Sequence, residues 1–316
     1  MTAMPTDPAP STPTAGAGRY APSPSGDLHL GNLRTALLAW LFARSTGRRF
    51  VLRVDDLDRV RPGAEERQLG DLAALGIDWD GPVLHQSDRL GRYDAAVGRL
   101  TEAGLTYECF CTRKEIQQAA TAPHGPQGAY PGTCRDLTTA ERDARRAAGR
   151  PAALRLRAAR RDFEITDRLH GRYRGPVDDL VLRRGDGIPA YNLTVVVDDA
   201  EHGIDQVVRG DDLLPSTPRQ AYLATLLGLP VPEYAHVPLV LNTAGQRLAK
   251  RDGAVTLTDR RHRGDSVRAV VAMLAASLGL SGGSADELLT GFDPGRLPRT
   301  PWILDPDSLV CAAGGP

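Results

Sequence analysis

Four groups of residues in this sequence have the types and spacing to do chemistry. The first is His29, Gly31 and Asn32, which close the stretch Arg19-Tyr20-Ala21-Pro22-Ser23-Pro24-Ser25-Gly26-Asp27-Leu28-His29-Leu30-Gly31-Asn32. An imidazole at the start of a helix can donate to a phosphate, and Gly31 has no side chain to obstruct a close backbone approach. Asn32 is equally suited to capping that helix. The second group is Cys109-Phe110-Cys111 with Cys134, three thiols able to act as soft ligands for Zn²⁺. A closed structural site needs a fourth ligand, from His124 or Tyr130. On chemistry alone His124 is favoured, because a phenolate is an unusual zinc ligand. The metal-free alternative is a set of reduced, partly buried cysteines.

The third group is Arg247-Leu248-Ala249-Lys250-Arg251, a basic loop after a strand and a turn. By itself it reads as a solvated turn. Beside a site that already holds an anion, Lys250 can neutralise charge developing on a departing pyrophosphate, a role that suits a point charge on a flexible stem. The fourth group is Arg19, Asp55, Tyr191 and Arg209, each expected near a strand end. Guanidinium forks clamp carboxylates and Asp55 can hold an ammonium, so the set suits a zwitterionic acid. Ordinary surface ion pairing is the plain alternative.

These groups need elements to position them. Residues 19–21 read as the end of a strand, and Pro22, Pro24 and Gly26 stiffen the loop that follows. Leu33, Ala36, Leu37, Trp40 and Leu41 then recur at helical spacing. A strand, a small-residue loop and a helix N-terminus form a common anion-binding arrangement. Residues 48–58 read as a buried strand ending in acids, followed by helices over 64–75 and 88–103. The alternation points to a nucleotide-binding α/β core. Residues 105–175 break the rhythm as an insertion, with Thr138 and Glu141 forming a capping box. Beyond it, residues 179–184 and 190–198 read as a hairpin around Gly185-Asp186-Gly187. Val207 to Gly210, a helix over 216–227, a strand over 237–241 and a helix over 265–278 complete the pattern.

With Lys+Arg and Asp+Glu both at 39 in 316 residues, there is no global positive field, and any nucleic-acid contact must come from local patches. No apolar run approaches the roughly 20 residues that span a bilayer. The first 18 residues lack the pattern of a signal peptide and read as a disordered tail. The four cysteines do not look like a disulfide framework, so the reducing cytoplasm is the expected location.

Taken together, R-Y-A-P-S-P-S-G-x-L-H-L-G-N, R-V-D-D-L-D, the Cys/Cys/Tyr/Cys insert, G-I-P-A-Y-N-L, V-V-R-G-D-D-L and R-L-A-K-R resemble the class I glutamyl-tRNA synthetases. H-L-G-N stands in the place of the HIGH signature and R-L-A-K-R in that of KMSKS. The resemblance runs over most of residues 19–260. It implies a Rossmann-like parallel-sheet core (19–104 and 176–260), a zinc-bearing insertion (105–175) and a short helical C-terminal segment (261–316). Only 65 residues follow Arg251, too few for an anticodon-binding domain. The chain therefore looks most like the truncated paralogues that load glutamate onto queuosine in the anticodon of tRNA(Asp), rather than onto a tRNA 3′ end. Their zinc site implies Cys109, Cys111, Tyr130 and Cys134 as ligands, displacing His124. By the same resemblance Arg19, Tyr20, Ala21, Pro22 and Ser23 line the glutamate site with Asp55, Tyr191 and Arg209. His29, Gly31, Asn32 and Lys250 serve ATP, with His29 and Lys250 catalytic. The implied partners are ATP with Mg²⁺, L-glutamate and queuosine-bearing tRNA(Asp); the chain is expected to act as a monomer, away from membranes. Asp55 stands where glutamate is common, the second histidine of HIGH is lost, and R-L-A-K-R keeps one central lysine.

Overall fold

Strands whose neighbours cover both faces read as apolar runs, and those runs form the centre of this molecule. A computed structural model describes residues 16–112, 114–116, 130–248 and 255–305. Strand β1 (Ala17–Tyr20) passes through the proline-rich loop into helix α1 (Leu30–Arg44) and strand β2 (Arg49–Val54). Helix α2 (Ala64–Ala74), strand β3 (Leu84–His85) and helix α3 (Leu90–Glu102) follow. Next come β4 (Thr106–Cys109), α4 (Thr139–Ala147), β5 (Ala153–Leu156), β6 (Asp162–Asp167), β7 (Gly171–Pro176) and β8 (Val181–Arg183). Helix α5 (Tyr191–Glu201), strand β9 (Ile204–Gly210), helix α6 (Thr217–Leu227) and strands β10 (Glu233–Val237) and β11 (Val240–Leu241) return to the core. Helices α7 (Leu257–His262), α8 (Val267–Ala276) and α9 (Ala285–Thr290) precede strand β12 (Trp302–Ile303).

The main sheet has the order β3-β2-β1-β9-β10-β6-β7. All its pairings are parallel except β6 with β7. From β1 the chain winds outward to β2 on one side, while β9 lies on the other. The crevice at their carboxyl ends is the topological switch point where open α/β sheets bind ligands. Helix α1 is buried nearly all round, with Leu33, Leu37 and Phe42 in one core with sheet residues Phe50 and Val237 and with Leu274 and Leu288 of α8 and α9. Gly18 lets α1 lie close on β1: a Cβ there would stand 2.8 Å from that of Ala43. No helix among the described residues is long and apolar enough to cross a membrane.

The structure departs from the sequence reading in several places. Residues 190–198 are not the second strand of a hairpin but the start of α5. Val195, Val196 and Val197 favour a strand locally, but burial on several sides of α5 outweighs that propensity. Tyr191 accordingly opens a helix instead of ending a strand. The apolar run 237–241 is cut at Pro238, which cannot donate to a ladder, and β11 pairs instead with β12. Residues 105–175 do not all stand apart, since β6 and β7 extend the main sheet beyond β10. The separate antiparallel sheet is β4-β5-β8. Of the expected tail, residues 17 and 18 belong to β1. His124, Lys250 and Arg251 lie outside the described residues.

Candidate active site

The carboxyl ends of β1, β2 and β9, with Leu239, Val240 and Arg247 around and after β11, enclose a cavity of about 740 Å³. Its wall includes Arg19, Tyr20, Ala21, Pro22, Ser23, His29, Gly31, Asn32, Asp55, Tyr191 and Arg209, residues from sequence positions as far apart as 19 and 209. The proline loop is held in shape from outside. Asp55 N–H donates to Pro22 O at 2.9 Å, Arg61 N–H donates to Pro24 O at 2.8 Å, and Gln68 Nε2 donates to Ser23 O and Gly26 O at 3.0 and 2.6 Å.

At one end of the cavity His29, not Asn32, is the N-cap of α1. Asn32 N–H donates to His29 Nδ1 at 3.2 Å, and His29 N–H donates to Asn32 Oδ1 at 3.3 Å, a reciprocal capping box. Because Nδ1 accepts, the proton of the neutral ring sits on Nε2, where it can be donated to a ligand. Burial, and then the charge of Arg247, hold the ring below its ordinary pKa, which favours that neutral form. The helix start is less open to an anion than its sequence suggests. Leu30 N–H is taken by Val255 O at 2.7 Å, which leaves Gly31 N–H as a first-turn donor without a partner among the described residues. A Cβ on Gly31 would come within 3.0 Å of the His29 ring, so the glycine keeps that ring in place. Arg247 pairs with Asp212 at the mouth of the cavity.

At the other end is a buried charge cluster that sequence reading missed. Arg53, side chain 2% exposed, donates from Nε to Asp55 Oδ1 at 2.7 Å and from Nη1 to Asp199 Oδ1 at 2.8 Å. Arg19 Nε reaches the same Asp199 oxygen at 3.4 Å. Asp198 lies 3.6 Å from Arg53 and takes its main partners from Arg89, Gln86 and Tyr93. Burial pushes Asp199 up, but Arg19 and Arg53 outweigh it and hold the carboxyl below its usual range. For Asp55 burial wins over Arg53, and its pKa is raised. Asp55 Oδ2 has no partner among the described residues, so an ammonium placed there would restore the ionised form. The detectable signal was Arg53 itself, a cation between Leu52 and Val54 in the apolar run that follows Arg49. Arg209 completes this end, 5% exposed on β9.

Away from the cavity, the three thiols expected as ligands come together. The Sγ atoms of Cys109, Cys111 and Cys134 lie within 4.8 Å of one another, and that of Cys111 is 3.5 Å from that of Cys134. Tyr130 Oη sits 3.3 Å from Cys109 Sγ and 3.8 Å from Cys111 Sγ. Tetrahedral zinc with bonds of ~2.3 Å to sulfur sets ligand atoms about 3.8 Å apart, so the donor set fits that ion. Burial, with Cys134 beside it, pushes the Cys111 thiol up to about 12; a thiolate-binding cation reverses that shift. Arg145 Nη1, 3.2 Å from Cys134 Sγ, and Arg155, stacked 3.7 Å over the Tyr130 ring, bring positive charge against an anionic ligand set.

Fold and cavity are those of a class I tRNA synthetase. The family of class I tRNA synthetases (E and Q), catalytic domain, matches residues 17–294, and the chain belongs to it. The chain is a ligase, and the resemblance read from its motifs is borne out by curated relatives named glutamyl-Q tRNA(Asp) synthetase. That of Nocardia farcinica is 77% identical over 295 residues, covering 93% of this chain and 95% of the relative. That of Cutibacterium acnes is 57% identical over 270 residues, covering 84% and 76%. Among solved structures, a glutamate tRNA ligase from Elizabethkingia meningosepticum in complex with its amino acid superposes with a TM-score of 0.78 at 29% identity. That match covers 92% of this chain and 67% of the other.

Proposed function

We propose that this enzyme activates L-glutamate with ATP and transfers the glutamyl group to queuosine in the anticodon of tRNA(Asp). The observation that carries the first half is the charge balance among the side chains of the buried cluster around Arg53 and Arg209. Arg19, Arg53 and Arg209 face Asp55 and Asp199, while Asp198 is matched by Arg89. Among these seven side chains one positive charge is left over, which the net negative charge of glutamate cancels and the zero net charge of glutamine does not. Burial makes that difference count. Asp55 Oδ2 takes the ammonium, Arg209 takes the acid group that does not react, and the α-carboxylate points towards the His29 end. The names of the curated relatives support the second half.

In the first step an α-carboxylate oxygen attacks the α-phosphorus of ATP, which arrives as its Mg²⁺ complex. The bond to the β-phosphate oxygen breaks, and pyrophosphate leaves. No protein nucleophile is needed, so catalysis is positioning and charge stabilisation. His29 Nε2–H and Gly31 N–H donate to phosphate oxygens, and Lys250 meets the leaving group. In the second step a hydroxyl of the queuosine cyclopentenediol attacks the acyl carbon, its proton passes to water, and AMP leaves.

Glutamate-dependent exchange of pyrophosphate into ATP, without tRNA, is the test of the first step; its absence in zinc-replete protein would defeat the reading. Purified chain should then load labelled glutamate onto queuosine-bearing tRNA(Asp). Charging of tRNA(Glu) at its 3′ end instead would make the chain a synthetase of the ordinary kind.

The cysteine cluster, in this reading, holds a structural zinc through Cys109, Cys111, Cys134 and Tyr130, which ties β4 to the segment before α4. Metal analysis is expected to find about one zinc per chain, and chelation to lower the melting temperature. Protein isolated folded without metal, melting where the zinc-loaded sample melts, would remove the site.

A further inference from the structure

Behind Arg209 lies a buried chain of hydrogen bonds that the reaction as derived above does not use. His236 on β10 is 0% exposed, and Asp167, the last residue of β6, is 1% exposed. Asp167 Oδ2 takes His236 Nδ1 at 2.6 Å and His236 N–H at 3.1 Å, while its Oδ1 takes the N–H groups of Leu169 and His170 at 2.8 and 2.9 Å. That carboxylate is filled by donors and can only accept. His236 Nδ1 must therefore carry a proton, and Nε2 of the neutral ring must accept. Its donors are Arg209 Nε–H at 3.1 Å and the Thr217 hydroxyl at 2.9 Å.

Arg209 is thereby gripped along one edge. Nε is taken by His236, and Nη2 donates to Thr217 Oγ1 at 2.9 Å and Gln220 Oε1 at 2.7 Å. Nη1 alone among the guanidinium nitrogens has no partner among the described residues, and Arg209 lines the cavity. A guanidinium without this grip can turn about its terminal bonds and present a different edge. The ring of Tyr234 stacks on His236 with centroids 6.0 Å apart and lies 5.7 Å from the Arg209 guanidinium carbon, so it packs against both members of the pair.

We propose that Asp167 and His236 are positioning residues for substrate binding: through a fixed Nδ1–H tautomer they orient Arg209 so that its free edge meets the unreacting acid group of the substrate. This rests on the proposed glutamate site. It gives β6, remote in sequence from every motif of that site, a direct link to it, because Asp167 faces Tyr234 in the β6–β10 pairing.

Two variants separate positioning from simple packing. In His236→Asn the amide N–H still serves Asp167, but the side chain stops short of Arg209. In His236→Gln an amide oxygen can stand close to where Nε2 was and keep the acceptor. In the exchange assay on full-length, zinc-replete chain, H236N is expected to raise the KM for glutamate about tenfold or more, with that for ATP unchanged. H236Q should stay within about threefold of wild type. Equal damage by both variants, an unchanged glutamate KM in a folded H236N, or parallel rises for glutamate and ATP would each overturn the proposal. Imidazole ¹⁵N spectra of the wild type add a readout that needs no variant to fold. At neutral pH the one imidazole signal of the seven histidines that is lost in H236N should show protonated Nδ1 and bare Nε2, while His202, whose Nδ1 donates to Asp198 O at 2.8 Å, shares that tautomer and keeps its signal. An Nε2–H or doubly protonated His236 would equally overturn it. Should the wild type show no glutamate-dependent exchange at all, the substrate reading fails instead, and the spectrum still decides the tautomer.

Discussion

Arg53→Met is expected to destabilise the protein by about 3–5 kcal/mol, the largest loss of stability for any single substitution at the site. Methionine keeps most of the length and apolar volume of the side chain, so the variant removes charge more than packing. The guanidinium neutralises Asp55 and Asp199 at 2.7 and 2.8 Å and stands 3.6 Å from Asp198. All three carboxylates are buried, and Arg19 and Arg89 cannot cover them alone. Against a total stability of about 5–15 kcal/mol, such a loss should lower the melting temperature by roughly 10 °C. The pH dependence follows from the direction of the shifts. Without Arg53 the folded-state pKa of Asp55 and Asp199 rises, so their cost is present above those values and vanishes as both are protonated in acid. Wild-type Asp199, held low, gives stability that is itself lost as pH falls through its folded value. Both effects narrow the gap between variant and wild type towards acid. Urea titrations at neutral pH and near pH 4 measure it. A melting temperature within about 2 °C of wild type at neutral pH would mean that water already reaches the cluster.

This cluster marks the boundary of what could be read from sequence. The strand, the proline loop and the start of α1 were legible because each rests on neighbouring residues: proline and glycine limit the backbone locally, and a helical period shows within one window. The thiols were legible because three soft ligands within a short span are rare in a reducing setting. Arg53 was passed over because its meaning depends on Asp198 and Asp199, about 145 residues away on a helix that itself read as a strand. His236 and Asp167 were invisible for the same reason. A histidine in an apolar strand acquires a role only when β6 is set beside β10, and nothing in the spacing of either strand announces that pairing. The capping of α1 went the other way. Asn32 read as a possible cap, yet the cap is His29, because an imidazole placed three residues before an asparagine completes the same two bonds.

Lys250→Ala is expected to slow adenylate formation by about 10²–10³-fold while leaving the KM for glutamate within about threefold of wild type. Lys250 lies outside the described residues, but residues on both sides of it do not. Two residues earlier in sequence, Leu248 is buried in the core that contains α1, and Arg247 sits at the cavity mouth, where its charge reaches His29. Five residues later, Val255 O accepts from Leu30 N–H, and Thr256 bridges to His29. Both ends of the segment are thus fastened beside the His29 turn, the proposed phosphate site. The charge a lysine would meet there grows only as the bond to pyrophosphate lengthens, so its loss should fall on kcat and spare substrate binding. Arg251 next to it is a second cation, but its planar, less flexible head cannot follow a departing group in the same way, and Lys250→Arg should recover only part of the rate. The exchange assay separates the two parameters directly. If kcat and glutamate KM worsened by the same factor, Lys250 would be holding the ground state together, and the stabilisation of the leaving pyrophosphate would have to be sought in Arg247 and the Gly31 N–H.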